Sequence, residues 1–256
     1  MSFYSLSKKQ REELVSEIKT DVRFGIQKNK QQSLLTYFSD EDTYIRKAAY
    51  LAVGKIYVED ASLQKKILNL LTQLLRAEHY HIRQTVINAA GEIGIKDFES
   101  VEHFFDQALF DHHHTVRNAV IGSVKKMGQK NPKPVLRWAK KYLHHADKEV
   151  RREICHGIEL RGRTHPQDIL PLLKELQDDK TARVRDTLVH VLGQISYKKG
   201  CLETVVAELN SWKNKTLSKA ATEEIIDVHD RYKDFAILSQ KQAIQYIKKH
   251  FKKYRS

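Results

Sequence analysis

The sequence predicts an all-α protein, a right-handed α-solenoid of two-helix repeats, and three observations lead there. A Val/Ile-Arg dipeptide recurs at Ile45-Arg46, Ile82-Arg83, Val116-Arg117, Val150-Arg151 and Val184-Arg185, so the arginines lie 37, 34, 34 and 34 residues apart. With each repeat arginine as zero, apolar residues recur at −1, +3, +7 and +10. Position +3, for instance, holds Ala49, Val86, Val120, Ile154 and Leu188, and +7 holds Val53, Ala90, Val124, Ile158 and Leu192. That spacing traces one stripe along a helix, and only Arg161, at +10 of the fourth repeat, interrupts it. Finally, 10 Gly and 4 Pro among 256 residues favour long helices over turn-rich strands. A repeat array has no fixed core size, so residues 1–256 are expected to form one domain. Within it, 1–30 read as a capping helix, 31–233 as about six repeats and 234–256 as a basic C-terminal helix.

Taken in order, the first helix places Leu14, Ile18, Val22 and Ile26 four apart, with Glu12 and Glu13 early and Lys28 and Lys30 late, charges that suit its dipole. Its one Val-Arg dipeptide, Val22-Arg23, stands near its end and out of the repeat period, and the helix is expected to cover the open apolar face of the first repeat. Each later repeat reads as a helix A, a short loop and a helix B. On the A helices, position −13 collects Leu70, Phe104, Trp138, Leu172 and Val206, which assigns Trp138 to the core. Acidic residues precede the B helices at Asp40, Asp42, Asp111, Asp147, Asp178 and Asp179. A carboxylate there accepts hydrogen bonds from the free N–H groups that open a helix, or pairs with an arginine. The repeat arginines Arg46, Arg83, Arg117, Arg151 and Arg185 are therefore assigned to a ladder that holds the stack together. Gly94, Gly128, Gly162 and Gly200 read as C-caps, and Pro132 and Pro166 as helix starts. The final helix, Gln240 to Tyr254, has an apolar face of Ala243, Ile244, Ile247 and Phe251 beside a cluster of Lys248, Lys249, Lys252, Lys253 and Arg255.

The formal charge of +13 is uneven along the chain. Residues 1–112 carry 15 Lys and Arg against 16 Asp and Glu, whereas 113–256 carry 30 against 16. A solenoid with one basic half suits a polyanion, and nucleic acid is the commonest. Two cysteines, Cys155 and Cys201, are too few for a disulfide framework and are expected to be reduced thiols of a cytoplasmic protein. No run approaches the roughly 20 apolar residues of a membrane span, and Met1-Ser2-Phe3-Tyr4 opens no secretory signal. There is no Gly-rich phosphate loop, no Gly-x-Ser-x-Gly and no Cys-x-x-Cys. No catalytic residues and no cofactor are therefore assigned, and a monomer is expected.

The pattern Asp-x-x-x-Val-Arg-x-x-(Ala/Ile)-x-x-x-(Val/Leu)-Gly-x-Ile, best seen at Ile45 to Ile56, Ile82 to Ile93 and Val184 to Ile195, resembles HEAT repeats. Such arrays bind proteins, nucleic acids or metals, so the resemblance implies a fold before it implies a function. Deoxyhypusine hydroxylase, a HEAT-like di-iron protein, carries His-Glu dipeptides, and this chain has none among its 13 histidines. The stretch Asn131-Pro132-Lys133-Pro134-Val135-Leu136 to Leu143, followed by Val150-Arg151-Arg152, Val191-Leu192 and Leu217-Ser218-Lys219, is similar to the C-terminal half of the HEAT-like alkylpurine DNA glycosylases. On that resemblance Arg152 falls on the family's DNA-contacting arginine and His190 near a family tryptophan. Where the family carries Trp-Trp-Asp-x-x-Asp, this chain has His112-His113-His114-Thr115-Val116-Arg117. A cation in place of the final carboxylate cannot stabilise the cationic sugar of a glycosidic transition state.

Residues of the B helices that lie off the core stripe define the expected binding face. Position +1 gives Lys47, Gln84, Asn118, Arg152 and Asp186; +5 gives Leu51, Asn88, Gly122, His156 and His190; +12 gives Val58, Ile95, Gln129, Arg163 and Tyr197. With Lys125, Lys126, Arg161, Lys198, Lys199 and Lys219 nearby, Arg152, His156, Arg163 and His190 make a basic strip suited to phosphate contact, with Tyr197 and Trp212 as aromatics able to stack on bases. The loop histidines, His79, His81, His112 to His114, His144 and His145, read as solvated, and no metal is assigned to them. The expected function is non-enzymatic binding of a nucleic-acid backbone. An acidic protein partner on a scaffold and a glycosylase-like DNA-repair role are the alternatives.

Overall fold

The structure is a computed structural model that describes residues 3–252, and every regular element among them is helical. Lys253 and Arg255 of the basic cluster, and Tyr254, the expected end of the last helix, lie outside the described residues. The helices gather into two compact units, residues 1–131 and 132–256, taken here in turn.

Unit 1 opens with α1 (Lys8–Lys28), whose start is fixed by a capping box between Ser7 and Gln10 and whose end turns at Asn29 with φ 54°. Three helix pairs follow: α2 (Gln31–Phe38) with α3 (Thr43–Glu59), α4 (Gln64–Leu74) with α5 (Tyr80–Gly94), and α6 (Glu102–Ala108) with α7 (His114–Lys130). The B helices form one layer, α3 lying between α1 and α5, and α5 between α3 and α7. Helices α2, α4 and α6 pack behind them.

Unit 2 repeats the plan. Helix α8 (Pro132–Tyr142) pairs with α9 (Lys148–Gly157) and its short continuation α10 (Glu159–Gly162); α11 (Pro166–Lys174) precedes α12 (Ala182–Gln194), and α13 (Cys201–Leu209) precedes α14 (Lys215–Arg231). Helix α12 packs between α9 and α14, α11 and α13 pack together behind, and α15 (Gln240–His250) closes against α14 and α13.

The predicted stripe is the core. Positions +3 and +7 are buried in all five repeats, as are Ile56, Ile93, Met127 and Ile195 at +10; Trp138 is 1% exposed. Each buried Ile, Leu or Val contributes about 1.5–3 kcal/mol. The exception has a local cause. Helix B of the fourth repeat breaks at Ile158, which separates α9 from α10 and turns Arg161 away from the core onto Asp168, at 2.6–2.7 Å. Gly162 takes the packing place beside Ile169 and Ile195.

The glycine reading needs correction. Gly128 lies inside α7, and Gly94 and Gly162 are the last helical residues of α5 and α10, where a side chain would run into Met127 and Ile169 respectively. Only Gly200, φ +74°, takes the left-handed conformation, and it begins α13 instead of ending a helix. Pro132 and Pro166 do open α8 and α11. Both cysteines are buried free thiols, and burial pushes each thiol up from its ordinary pKa. Among the described residues, no helix is long and apolar enough to cross a membrane.

Candidate nucleic-acid interface

The repeat arginines form the expected ladder, and its geometry recurs from repeat to repeat. Arg83 Nη1 donates to the carbonyls of Ala77 and Glu78 at 2.8 and 2.7 Å, Arg117 to those of Asp111 and His112 at 2.6 and 3.2 Å, and Arg151 to those of His145 and Ala146 at 2.7 and 2.9 Å. Arg46 and Arg185 reach the corresponding carbonyls of Asp40 and Asp179. Each arginine thus ties helix B to the loop before it. Arg83 and Arg151 also reach forward 28 residues: Arg83 Nε and Nη2 grip Asp111 at 2.7 and 2.9 Å within unit 1, and Arg151 grips Asp179 at 2.6 and 3.1 Å within unit 2. Burial, the largest single influence, raises the Asp111 and Asp179 carboxyls, but the arginine hydrogen bond and charge together with the backbone N–H of His113 or Thr181 outweigh it and hold both below the usual carboxylate range. Arg117, where the glycosylases carry a carboxylate, belongs to this ladder.

The candidate contact residues divide. Lys125 and Lys126 sit on α7 of unit 1, where Lys126 pairs with Glu92 of α5. In unit 2, α9, the end of α10 and α12 bring four of the expected residues into one strip, but each of the four has a carboxylate beside it. Arg152 Nε donates to Glu149 at 2.8 Å, with Glu153 3.7 Å from Nη2. Arg163 grips Glu159 at 2.6 and 3.0 Å and donates to Gln194 at 2.9 Å. His156 Nε2 lies 3.1 Å from Glu159, and His190 Nδ1 3.5 Å from Glu224. A shallow cleft of about 310 Å³ opens here between Arg152, His156, Arg183, Asp186, Thr187 and His190. A phosphate entering it would exchange with Glu149, which also binds Arg183 at 3.2 Å.

The remaining candidates stand apart from this strip. Arg161 faces Asp168, Lys219 is on α14 with Glu223 at 3.8 Å, and Lys198 lies over the Tyr197 ring, 4.8 Å from its centroid, donating to the Phe235 carbonyl. Lys199 is exposed after α12. The aromatics need correction: Tyr197 is buried and stacked on Tyr232, and Trp212 is fully buried, so neither face is open to a base. Tyr197 completes the core where α12 ends, and Trp212 does so in the loop between α13 and α14.

The loop histidines have structural work. His113 accepts the Thr115 N–H through Nδ1 and stacks on Tyr80 at 3.8 Å; His145 Nδ1 accepts the Asp147 N–H; His144 pairs with Glu175 at 2.8 Å. Of the carboxylates near the groove, Glu153 and Glu159 are readable from the sequence as partners for arginines of the same or the next turn, and they lie against Arg152 and Arg163; sequence reasoning missed Glu224. Glu224 was within reach of the repeat arithmetic, for it stands at +5 when the register is extended to Lys219.

Comparison with known proteins agrees with this architecture. The HEAT repeats family matches residues 32–125, from α2 into α7. A search of curated proteins finds no match. Among solved structures, AlkD2 from Streptococcus mutans is 18% identical, covering 80% of this chain and 97% of that one, with a TM-score of 0.48. A structure titled for crescerin, which "uses a TOG domain array to regulate microtubules in the primary cilium", is 16% identical over 76% of this chain and 88% of that one, TM-score 0.50. At such identities the likeness shows the fold alone. Residues 32–125 are thus similar to HEAT repeats, and residues 132–231 form further helix pairs.

Proposed function

We propose that the chain is a non-enzymatic binding protein whose second unit engages the backbone of a nucleic acid. Charge carries the reading: residues 132–256 hold 26 Lys and Arg against 16 Asp and Glu. Lys133, Arg137, Lys148, Lys180, Lys199 and Lys248 are exposed and have no carboxylate partner among the described residues. Lys148, Lys180 and Arg183 stand at or just before the N-terminal ends of α9 and α12, where helix dipoles add positive potential. They flank the strip of Arg152, His156, Arg163 and His190, so phosphates would meet the rim first and Arg152 after it gives up Glu149. With Tyr197 and Trp212 both buried, the strip offers contact to backbone and shape instead of stacking on bases.

Binding to a fluorescent DNA duplex and to a single strand, followed between 50 and 200 mM salt, tests this. Affinity should fall steeply, each phosphate contact adding about 0.9 to the log–log slope. Lys148→Glu with Lys180→Glu should make that slope shallower by about two. No binding to either nucleic acid at 50 mM salt, or a slope untouched by the double reversal, would overturn the reading. One observation favours a protein partner: in unit 1 a cleft of about 660 Å³ exposes Tyr4, Val15, Tyr44 and Leu51 beside Lys47 and Lys55, a surface that suits an acidic, apolar segment.

A further inference from the structure

The +5 positions of the last three repeats are His156, His190 and Glu224, on α9, α12 and α14, which lie side by side. Repeat geometry therefore stacks two imidazoles and a carboxylate across three adjacent helices. Glu159 joins them from below, three residues after His156, carried there by the break that separates α9 from α10. It is 1% exposed, an unusual place for a carboxylate. One ligand atom each from His156, Glu159 and His190 lie within 4.8 Å of one another, and His156 Nε2 is already 3.1 Å from Glu159 Oε2.

From this arrangement we infer that unit 2 holds a divalent transition-metal site, of the zinc class, formed by His156, His190 and Glu159. Two imidazole nitrogens and one carboxylate oxygen are the donors such an ion prefers over Mg²⁺ or Ca²⁺. Bonds of about 2.0–2.1 Å at tetrahedral angles require donors about 3.3 Å apart. The His156–Glu159 pair meets that separation, and His190, half-buried at the edge of the cleft, closes the remainder by turning about its side-chain bonds.

The surrounding groups orient the donors. Arg163 holds Oε1 of Glu159 through both Nε and Nη2, which leaves Oε2 for the metal. Glu224 lies against Nδ1 of His190; a proton on Nδ1 directed at that carboxylate leaves Nε2 with its lone pair free. Arg163 is the nearest cation and is neutralised by Glu159 Oε1; Arg152 lines the same cleft, but Glu149 and Glu153 already draw it aside. Three protein ligands leave a fourth coordination position facing the 310 Å³ cleft, where Arg152 and Arg183 favour an anionic occupant.

The test uses the untagged full chain, titrated with Zn²⁺ by calorimetry and with Co²⁺ by visible absorption. One ion per chain is expected, with a dissociation constant on the order of 10 µM or tighter and the d–d bands of a four-coordinate Co²⁺ centre. His190→Ala, a half-exposed position whose loss leaves the core intact, should weaken Zn²⁺ binding about 100-fold, and Glu224→Gln about 10-fold through the orientation of His190. Thermal melting of each variant separates lost metal binding from lost folding. Unit 1 offers a comparison cluster in Glu41, His79 and His81; His79→Ala with His81→Ala should leave affinity unchanged. The inference fails if the wild-type chain binds Zn²⁺ no tighter than about 1 mM, if folded His190→Ala binds as wild type does, or if the His79/His81 variant is the one that loses the ion.

Discussion

Arg151 and Arg152 are neighbours in sequence with opposite surroundings, and that difference separates architecture from recognition. Arg151 spans the loop before α9 and the loop before α12, holding two carbonyls and both oxygens of Asp179, whose side chain is 7% exposed. Removing it strands a buried carboxylate. Arg151→Ala should therefore lower stability by about 3 kcal/mol, measured by urea unfolding. Arg152 shares a more open site with Glu149 on its own helix, and an exposed pair of this kind contributes under about 1 kcal/mol. Arg152→Ala should unfold close to the wild-type midpoint while weakening binding to nucleic acid. Equal destabilisation by the two substitutions would contradict the division of roles.

At the scale of the element, the interruption of helix B between α9 and α10 does most to set unit 2 apart from a regular array. It frees Arg161 from the core, brings Glu159 beneath His156, and places Gly162 where the helices approach most closely. A Cβ on Gly162 would stand 2.3 Å from Ile169 Cδ1 and 2.8 Å from Ile195 Cγ2. Gly162→Ala should cost about 1–3 kcal/mol from overpacking, although alanine is the better helix former. Gly122 on α7 is the control: nothing lies within 4 Å of its would-be Cβ, so Gly122→Ala should stabilise by up to about 1 kcal/mol. Thermal melts moving the same way for both would refute the packing argument. Much of this was legible beforehand, because the 34-residue period and the apolar stripe report a force that acts on every repeat alike. Burial of Trp138 followed from position −13 for that reason. The break at Ile158 was visible only as the misplaced Arg161, since a one-residue change of helical phase leaves no compositional trace. The pairing of the basic strip was legible in part: Glu149 and Glu159 sit 3 and 4 residues from Arg152 and Arg163, separations that a helix itself brings together, whereas Glu224 sits 34 residues from His190 and only the packed helices make that separation a contact.

Across the whole molecule, the lowered histidine and aspartate titrations point one way, which makes acid a predicted weakness of the chain. His229, buried in α14, is held below the ordinary histidine value by desolvation; His81 is lowered by burial and by Arg46, and His113 by desolvation and its cationic neighbours. For a base with a lowered folded pKa, the stabilising contribution is complete above the unfolded value near 6.5 and is lost as pH falls through the folded one. Asp111 and Asp179 follow the same sign at lower pH: their contribution is complete above the unfolded value near 3.9 and disappears as pH falls through their depressed folded values. One such aspartate lies in each unit, so both units should weaken together. The melting temperature should be level between about pH 7 and 8, decline as the histidines take up protons below about 6.5, and fall again below about 4. His229→Gln should flatten the first decline. Asp111→Asn with Asp179→Asn should lower stability at neutral pH while removing much of the second decline, because the substituted pairs have no proton left to bind. A melting temperature that stays constant from pH 7.5 to 5, or a double variant that keeps the full loss below pH 4, would show that these groups do not govern the acid response.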